Sequence, residues 1–208
     1  MRVRPVTPVR LAGELADRIA ALPGRPRIGF DGAESARPGA LADAVIEPLR
    51  VLGRAALRVD LADFLRPASV RLELGRTNPD SFYERWFDLA ALSREVLRPL
   101  GPDGSGRIVT TFWNARTDRS TRPSPVDVPE GGVLLLSGPL LIGAGLDLDL
   151  IVHCAQSPAA LARRTPPEDQ WTLPAFARYA EEVDPPGLAD VVVRVDDPEH
   201  PALVEPFD

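Results

Sequence analysis

The sequence predicts an α/β fold, with a mostly parallel sheet and helices on both of its faces. Short apolar runs at 27–30, 56–61, 132–136, 148–154 and 191–195 alternate with helical patterns. The runs at 132–136 and 148–154 are continuous rather than alternating, as in strands covered on both faces. Prolines, 23 among 208 residues, punctuate the ends of these segments.

Taken in order, Leu11, Leu15, Ile19 and Leu22 recur at three- and four-residue spacing and predict a helix over 9–22, which Pro23 and Gly24 end. A strand is expected at 27–30, then a loop rich in Gly, Ser and Pro over 31–39. Pro38 suits the first turn of a helix, and Leu41, Val45, Ile46 and Leu49 give that helix one apolar face. A second strand follows at 56–61. Residues 66–79 read as irregular, broken by Pro67, Gly75 and Pro79. A helical pattern with a break runs over 81–100 and closes at Pro99 and Gly101. Strands are expected at 107–113, 132–136 and 148–154. A short helix at 158–164, a helix at 171–182 and a last strand at 191–195 complete the series. The expectation is one domain over 1–208, with an N-terminal helical segment (1–24) and a lid with its following helix (163–182).

Composition narrows the classes of function. Hydrophobic residues are 44% of the chain, enough for a sizeable core. The net charge is −6, and no long basic run stands out; Arg2/Arg4 and Arg163/Arg164 are short. A nucleic-acid partner needs a clustered positive face, so none is expected. No apolar run approaches the ~20 residues of a membrane span, and no apolar segment of a secretory signal follows Arg2 and Arg4. A cytoplasmic protein without a membrane partner is expected. The lone Cys154 reads as a small buried hydrophobe, because His153 beside it points to the opposite face of a strand. His153 and His200 are the only histidines, and no spacing suggests a metal site.

The loop after the first strand carries the functional signal. Strand, glycine-bearing loop and helix form the setting of a phosphate-binding loop, whose pattern is G-x-x-x-x-G-K-[ST]. Its backbone amides and the helix N-terminus cradle phosphates. Counting from Gly32 through Ala33, Glu34, Ser35 and Ala36, the second glycine position holds Arg37, the lysine position Pro38 and the hydroxyl position Gly39. The chain contains no lysine at all.

Other stretches extend the pattern. Asp31-Gly32 is followed by Ala40-Leu41-Ala42-Asp43. Asp60-Leu61-Ala62-Asp63-Phe64 follows the second strand. Then come Ser81-Phe82-Tyr83-Glu84-Arg85-Trp86-Phe87-Asp88, Arg116-Thr117-Asp118-Arg119, Leu134-Leu135-Leu136-Ser137-Gly138 and Ala180-Glu181-Glu182-Val183-Asp184-Pro185. In that order, over about 9–200, the chain resembles the uridine kinase-like family of P-loop kinases. The resemblance implies a P-loop NTPase-like sheet with a small lid segment. It also implies ATP and Mg2+ as cofactors if the protein is active, and a nucleoside or similar polar acceptor as small-molecule partner.

By the same resemblance, residues 32–39 with Arg163 and Arg164 would hold the nucleotide. Tyr83, Arg85, Asn114, Arg116 and Asp118 would surround the acceptor. Asp63 is the candidate base, and Arg37 is the one cation placed to replace the missing lysine. Ser137 and Ala62 stand where the family carries acidic residues. These departures predict weak or absent phosphoryl transfer, which depends on positioning and charge neutralisation. The alternative is a non-catalytic ligand-binding or interaction module on the same fold. Whether the chain forms a homo-oligomer is left open by the sequence.

Overall fold

The computed structural model describes residues 2–205. Strand β1 (Arg2–Pro5) leads into helix α1 (Pro8–Ala20), whose first turn is capped by Thr7 accepting the Arg10 amide. Strand β2 (Arg27–Asp31), buried along its length, runs through the loop into α2 (Pro38–Val51) and then β3 (Ala56–Asp60). Short helices α3 (Ala68–Arg71), α4 (Pro79–Arg85) and α5 (Leu89–Leu92) follow. The two-residue strands β4 (Arg107–Ile108) and β7 (Val126–Asp127) pair with each other, as do β5 (Trp113–Asn114) and β6 (Arg119–Ser120). Strands β8 (Val133–Gly138) and β9 (Leu150–Ala155) precede α6 (Pro158–Arg164), α7 (Leu173–Val183) and α8 (Pro185–Leu188). Strands β10 (Val191–Arg194) and β11 (Ala202–Glu205) end the described chain.

The main sheet has seven strands in the order β1-β11-β10-β9-β2-β8-β3. The five from β10 to β3 are parallel, and β11 and β1 add to one side antiparallel. Alternation along each strand divides two cores. Val133 and Leu135 join Ile28, Phe30 and the apolar faces of α1 and α2, while Leu134 and Leu136 join Val59, Phe64 and the helical segment 89–100. A third cluster places Phe82 of α4 against Ala175 and Tyr179 of α7. Helices therefore cover both faces, as the pattern of apolar runs predicts.

Three expectations are corrected. First, the N-terminal segment is not only helical, because Arg2–Pro5 forms an edge strand. Second, the strand expected at 107–113 does not form as one element. The amides of Val109 and Phe112 donate to the carbonyls of Glu95 and Asp63, so that stretch is tied to neighbouring helical turns rather than to a strand. Third, residues 66–79 are not wholly irregular, because Ala68–Arg71 forms the short helix α3; the break expected in the helical pattern over 81–100 falls between α4 and α5, where Leu65 bridges Phe87 and the Asp88 amide donates to the Phe64 carbonyl. No helix among the described residues is long and apolar enough to cross a membrane.

Candidate functional site

The carboxyl ends of β2, β3, β8 and β9 meet at the loop that joins β2 to α2, which is where ligands bind in open parallel sheets. The Gly32 amide donates to the Gly138 carbonyl and ties the loop to the end of β8. Residues Glu34–Ala36 then form one turn of 3₁₀ helix. Its amides close on the loop itself: Ala36 donates to Ala33 and Arg37 to Glu34. Pro38, the first helical residue, has no amide hydrogen. Arg37 itself sits in the left-handed region at φ 56°, a conformation that suits the glycine of the phosphate-loop pattern.

The space in front of α2 is filled by a residue that the sequence does not advertise. Arg58, on β3, donates from Nε to Asp43 Oδ1 at 2.8 Å. Its Nη1 donates to Asp60 Oδ2 at 2.8 Å and to Ser137 Oγ at 2.9 Å. A β-carbon added at Gly39 would meet that Nη1 at 3.1 Å and Ser137 Oγ at 3.5 Å. The position that would carry the metal-binding hydroxyl thus faces a fixed guanidinium. The residues present do not fit a magnesium-bound triphosphate held in the P-loop manner, because a cation already sits beside Gly39 and no lysine is available.

Beside this network lies a cleft of about 540 Å³. The loop residues Ala33, Glu34 and Ser35 line one side and Asp60 and Ala62 another. Phe82, Trp86, Trp171 and Phe176 form an aromatic wall, and Arg164 and Asp169 come from the lid segment. Trp86 and Trp171 lie with ring centroids 5.3 Å apart, and Phe82 meets Trp171 edge-on at 5.7 Å. Trp86 therefore both packs, as expected from sequence, and faces the cleft. Glu34, Asp60 and Asp169 against Arg164 give the wall an acidic balance. The Nε of Arg164 is buried and has no hydrogen-bond partner among the described residues.

The other residues singled out in the sequence are dispersed. Arg37 is exposed, pairs with Glu199 at 3.5 Å and lines a smaller cavity away from the cleft. Asp63 lies on the 3₁₀ turn after β3. Burial raises its carboxyl above the usual range, and the neighbouring Asp60 charge adds to this while Arg58 opposes it. Arg163 is exposed at the end of α6. The Tyr83 hydroxyl donates to Glu182 at 3.1 Å, under the Arg178 guanidinium. Arg85 pairs with Glu73. Asn114 Oδ1 accepts the Arg116 and Thr117 amides and so shapes the β5–β6 hairpin, where Arg116 is exposed. Asp118 Oδ1 accepts from the Ala68 amide and from Trp113 Nε1, which fastens the hairpin to α3. Of the expected site, the structure gathers Ala33–Ser35 and Arg164 at one cleft and adds Asp60, Trp171 and Asp169, with the Arg58 network beside it.

This sheet order, with its strand–loop–helix at β2, is an α/β fold of the kind found in P-loop kinases. Within that fold the chain is similar to a candidate uridine kinase from Bacillus stearothermophilus, with a TM-score of 0.71 and 20% identity over 88% of this chain and 97% of that one. It is also similar to a candidate fructose transport system kinase from Silicibacter sp. TM1040 (TM-score 0.53, 17% identity, 84% of this chain and 88% of that one). The protein YGR205w matches over 96% of this chain and all of its own, at a TM-score of 0.56 and 11% identity. No family model matches the chain, and no curated protein matches its sequence.

Proposed function

We propose that this protein is a uridine kinase-like P-loop protein that binds a nucleoside or similar polar compound in its aromatic cleft and no longer transfers phosphate from magnesium-ATP. The observation that carries this reading is the Arg58 network beside Gly39. A guanidinium is a permanent cation, and here three oxygens fix it where a divalent ion would need to bind. The closed turn over Glu34–Ala36 supports the same conclusion, since amides that bond within the loop are not free to cradle phosphates. The acidic balance of the cleft further disfavours a triphosphate, while a flat ring with hydroxyls suits aromatic faces and carboxylate acceptors.

A phosphotransferase remains the second reading, favoured by the carboxyl of Asp63, which burial and the Asp60 charge raise above the usual range and so make a better proton acceptor than an ordinary carboxylate. Calorimetric titration with ATP, with and without Mg2+, separates the two. No magnesium-dependent binding up to millimolar ATP is expected, nor any ADP release in the presence of uridine. Uridine is expected to quench the tryptophan fluorescence of Trp86 and Trp171 equally with and without Mg2+. Magnesium-dependent ATP binding with turnover would restore the kinase reading, and an absence of uridine quenching would remove the nucleoside-binding one.

A further inference from the structure

A second cavity, of about 340 Å³, lies on the other side of Ala33 and Phe176 from the cleft. Its wall is almost wholly apolar: Pro158, Leu161, Leu173, Phe176, Pro185 and Pro186. The polar side chains that reach it are Gln156, Tyr179 and His153. Gln156 is fully engaged, accepting from Ser35 Oγ at 2.8 Å and donating to the Ser35 and Val195 carbonyls. The Tyr179 hydroxyl accepts the Ile142 amide at 2.9 Å and hydrogen-bonds Asp31. His153 alone is half-used. Its Nδ1 lies 2.6 Å from Asp31 Oδ2, and its Nε2 has no partner among the described residues.

Asp31 determines the state of that ring. The carboxylate is completely buried, and its other oxygen accepts the Leu141 amide at 2.8 Å. A carboxylate only accepts, so Nδ1 carries the hydrogen that it bonds. In the neutral imidazole Nε2 is then an acceptor with its lone pair free. That acceptor stays open to solvent at the wall of an otherwise apolar cavity, a combination that suits a ligand with one donor on an apolar body.

We infer that this cavity is a second binding site, for a small apolar molecule bearing one hydroxyl, such as a phenol or alcohol, with His153 Nε2 accepting the hydroxyl hydrogen. The site does not depend on the function proposed for the cleft. An engineered cavity of about 150 Å³ suffices for benzene, so a single ring with a hydroxyl fits here. The ligand would lie against Phe176, the wall that the two cavities share.

The chain has two histidines, so a ¹⁵N-histidine spectrum reports the site directly. Full-length protein at about pH 8, above the ordinary histidine range, is titrated with phenol and separately with benzene. Phenol is expected to move the His153 Nε2 resonance saturably and to bind about 5-fold more tightly than benzene, the worth of one hydrogen bond. In His153→Leu that advantage should vanish. Equal affinities for the two probes, or a phenol response confined to His200, would overturn the proposal. If the variant does not fold, the wild-type comparison of phenol with benzene decides.

Discussion

Arg37 holds a backbone conformation that ordinarily favours glycine. At φ 56° and ψ 48° it holds the left-handed conformation natural to the glycine of the phosphate-loop pattern, at a cost of roughly 1–2 kcal/mol for a residue with a β-carbon. Its exposed pairing with Glu199 returns little, since surface ion pairs are worth about 0–1 kcal/mol. Arg37→Gly is therefore expected to raise stability by about 0.5–1 kcal/mol in urea denaturation, with the fold unchanged. A loss of stability of that size would mean that the side chain has a structural role beyond its pair with Glu199. The sequence pointed to Arg37 because of its place in the motif. Arg58 was missed because a single arginine on a short strand gives no sign that Asp43 and Ser137, from two other elements, will converge on it beside its strand neighbour Asp60.

Among the elements, the clamp between β2 and the approach to β9 is the clearest charged feature. Asp149 Oδ2 accepts the Arg27 amide at 2.8 Å and its Nε at 3.0 Å, while Asp147 takes Nη1. Burial pushes the Asp149 carboxyl up, but the hydrogen bonds from Arg27 outweigh it and hold the group below its ordinary value. A depressed carboxyl contributes stability above its unfolded value, near 4, and loses it as pH falls through the folded value. Asp149→Asn should therefore cost about 1–3 kcal/mol at neutral pH, and the gap to wild type should narrow towards about pH 3 in denaturant titrations. A constant gap across that range would exclude the carboxylate's charge as the cause. The five parallel strands and the helices α1, α2, α6 and α7 were legible because their apolar faces are buried in the cores. Strands β1 and β11 were not, since four-residue strands at the margin of a sheet carry too short a pattern. The 107–113 stretch misled because alternation alone does not say whether a partner strand lies alongside. The aromatic wall of the cleft was legible only in pieces, because Trp86 and Trp171 are 85 positions apart in the chain and meet only in the folded molecule.

At the scale of the whole molecule, the two ends of the sheet differ. One margin is the antiparallel strand β1, paired inward with β11, while the other is the parallel strand β3, with no further strand on its outer side among the described residues. A parallel sheet with an open margin presents unpaired amides and carbonyls to any extended chain, and charge on that margin is the usual guard against self-association. Along β3 the residues are Ala56, Leu57, Arg58, Val59 and Asp60, so Arg58 is the only charge among the first four, and Asp60 ends the strand. The guanidinium fixed by Asp43 and Asp60 therefore has a colloidal consequence as well as a chemical one. Arg58→Leu would leave four consecutive apolar residues on an open edge and two carboxylates without their counterion. Light scattering on warming should show aggregation beginning several degrees earlier than in wild type, and earlier than in a variant of equal stability altered away from β3. If the two variants aggregate together, solubility follows global stability alone; if Arg58→Leu aggregates first, the guanidinium fixed beside Gly39 also keeps the molecules apart.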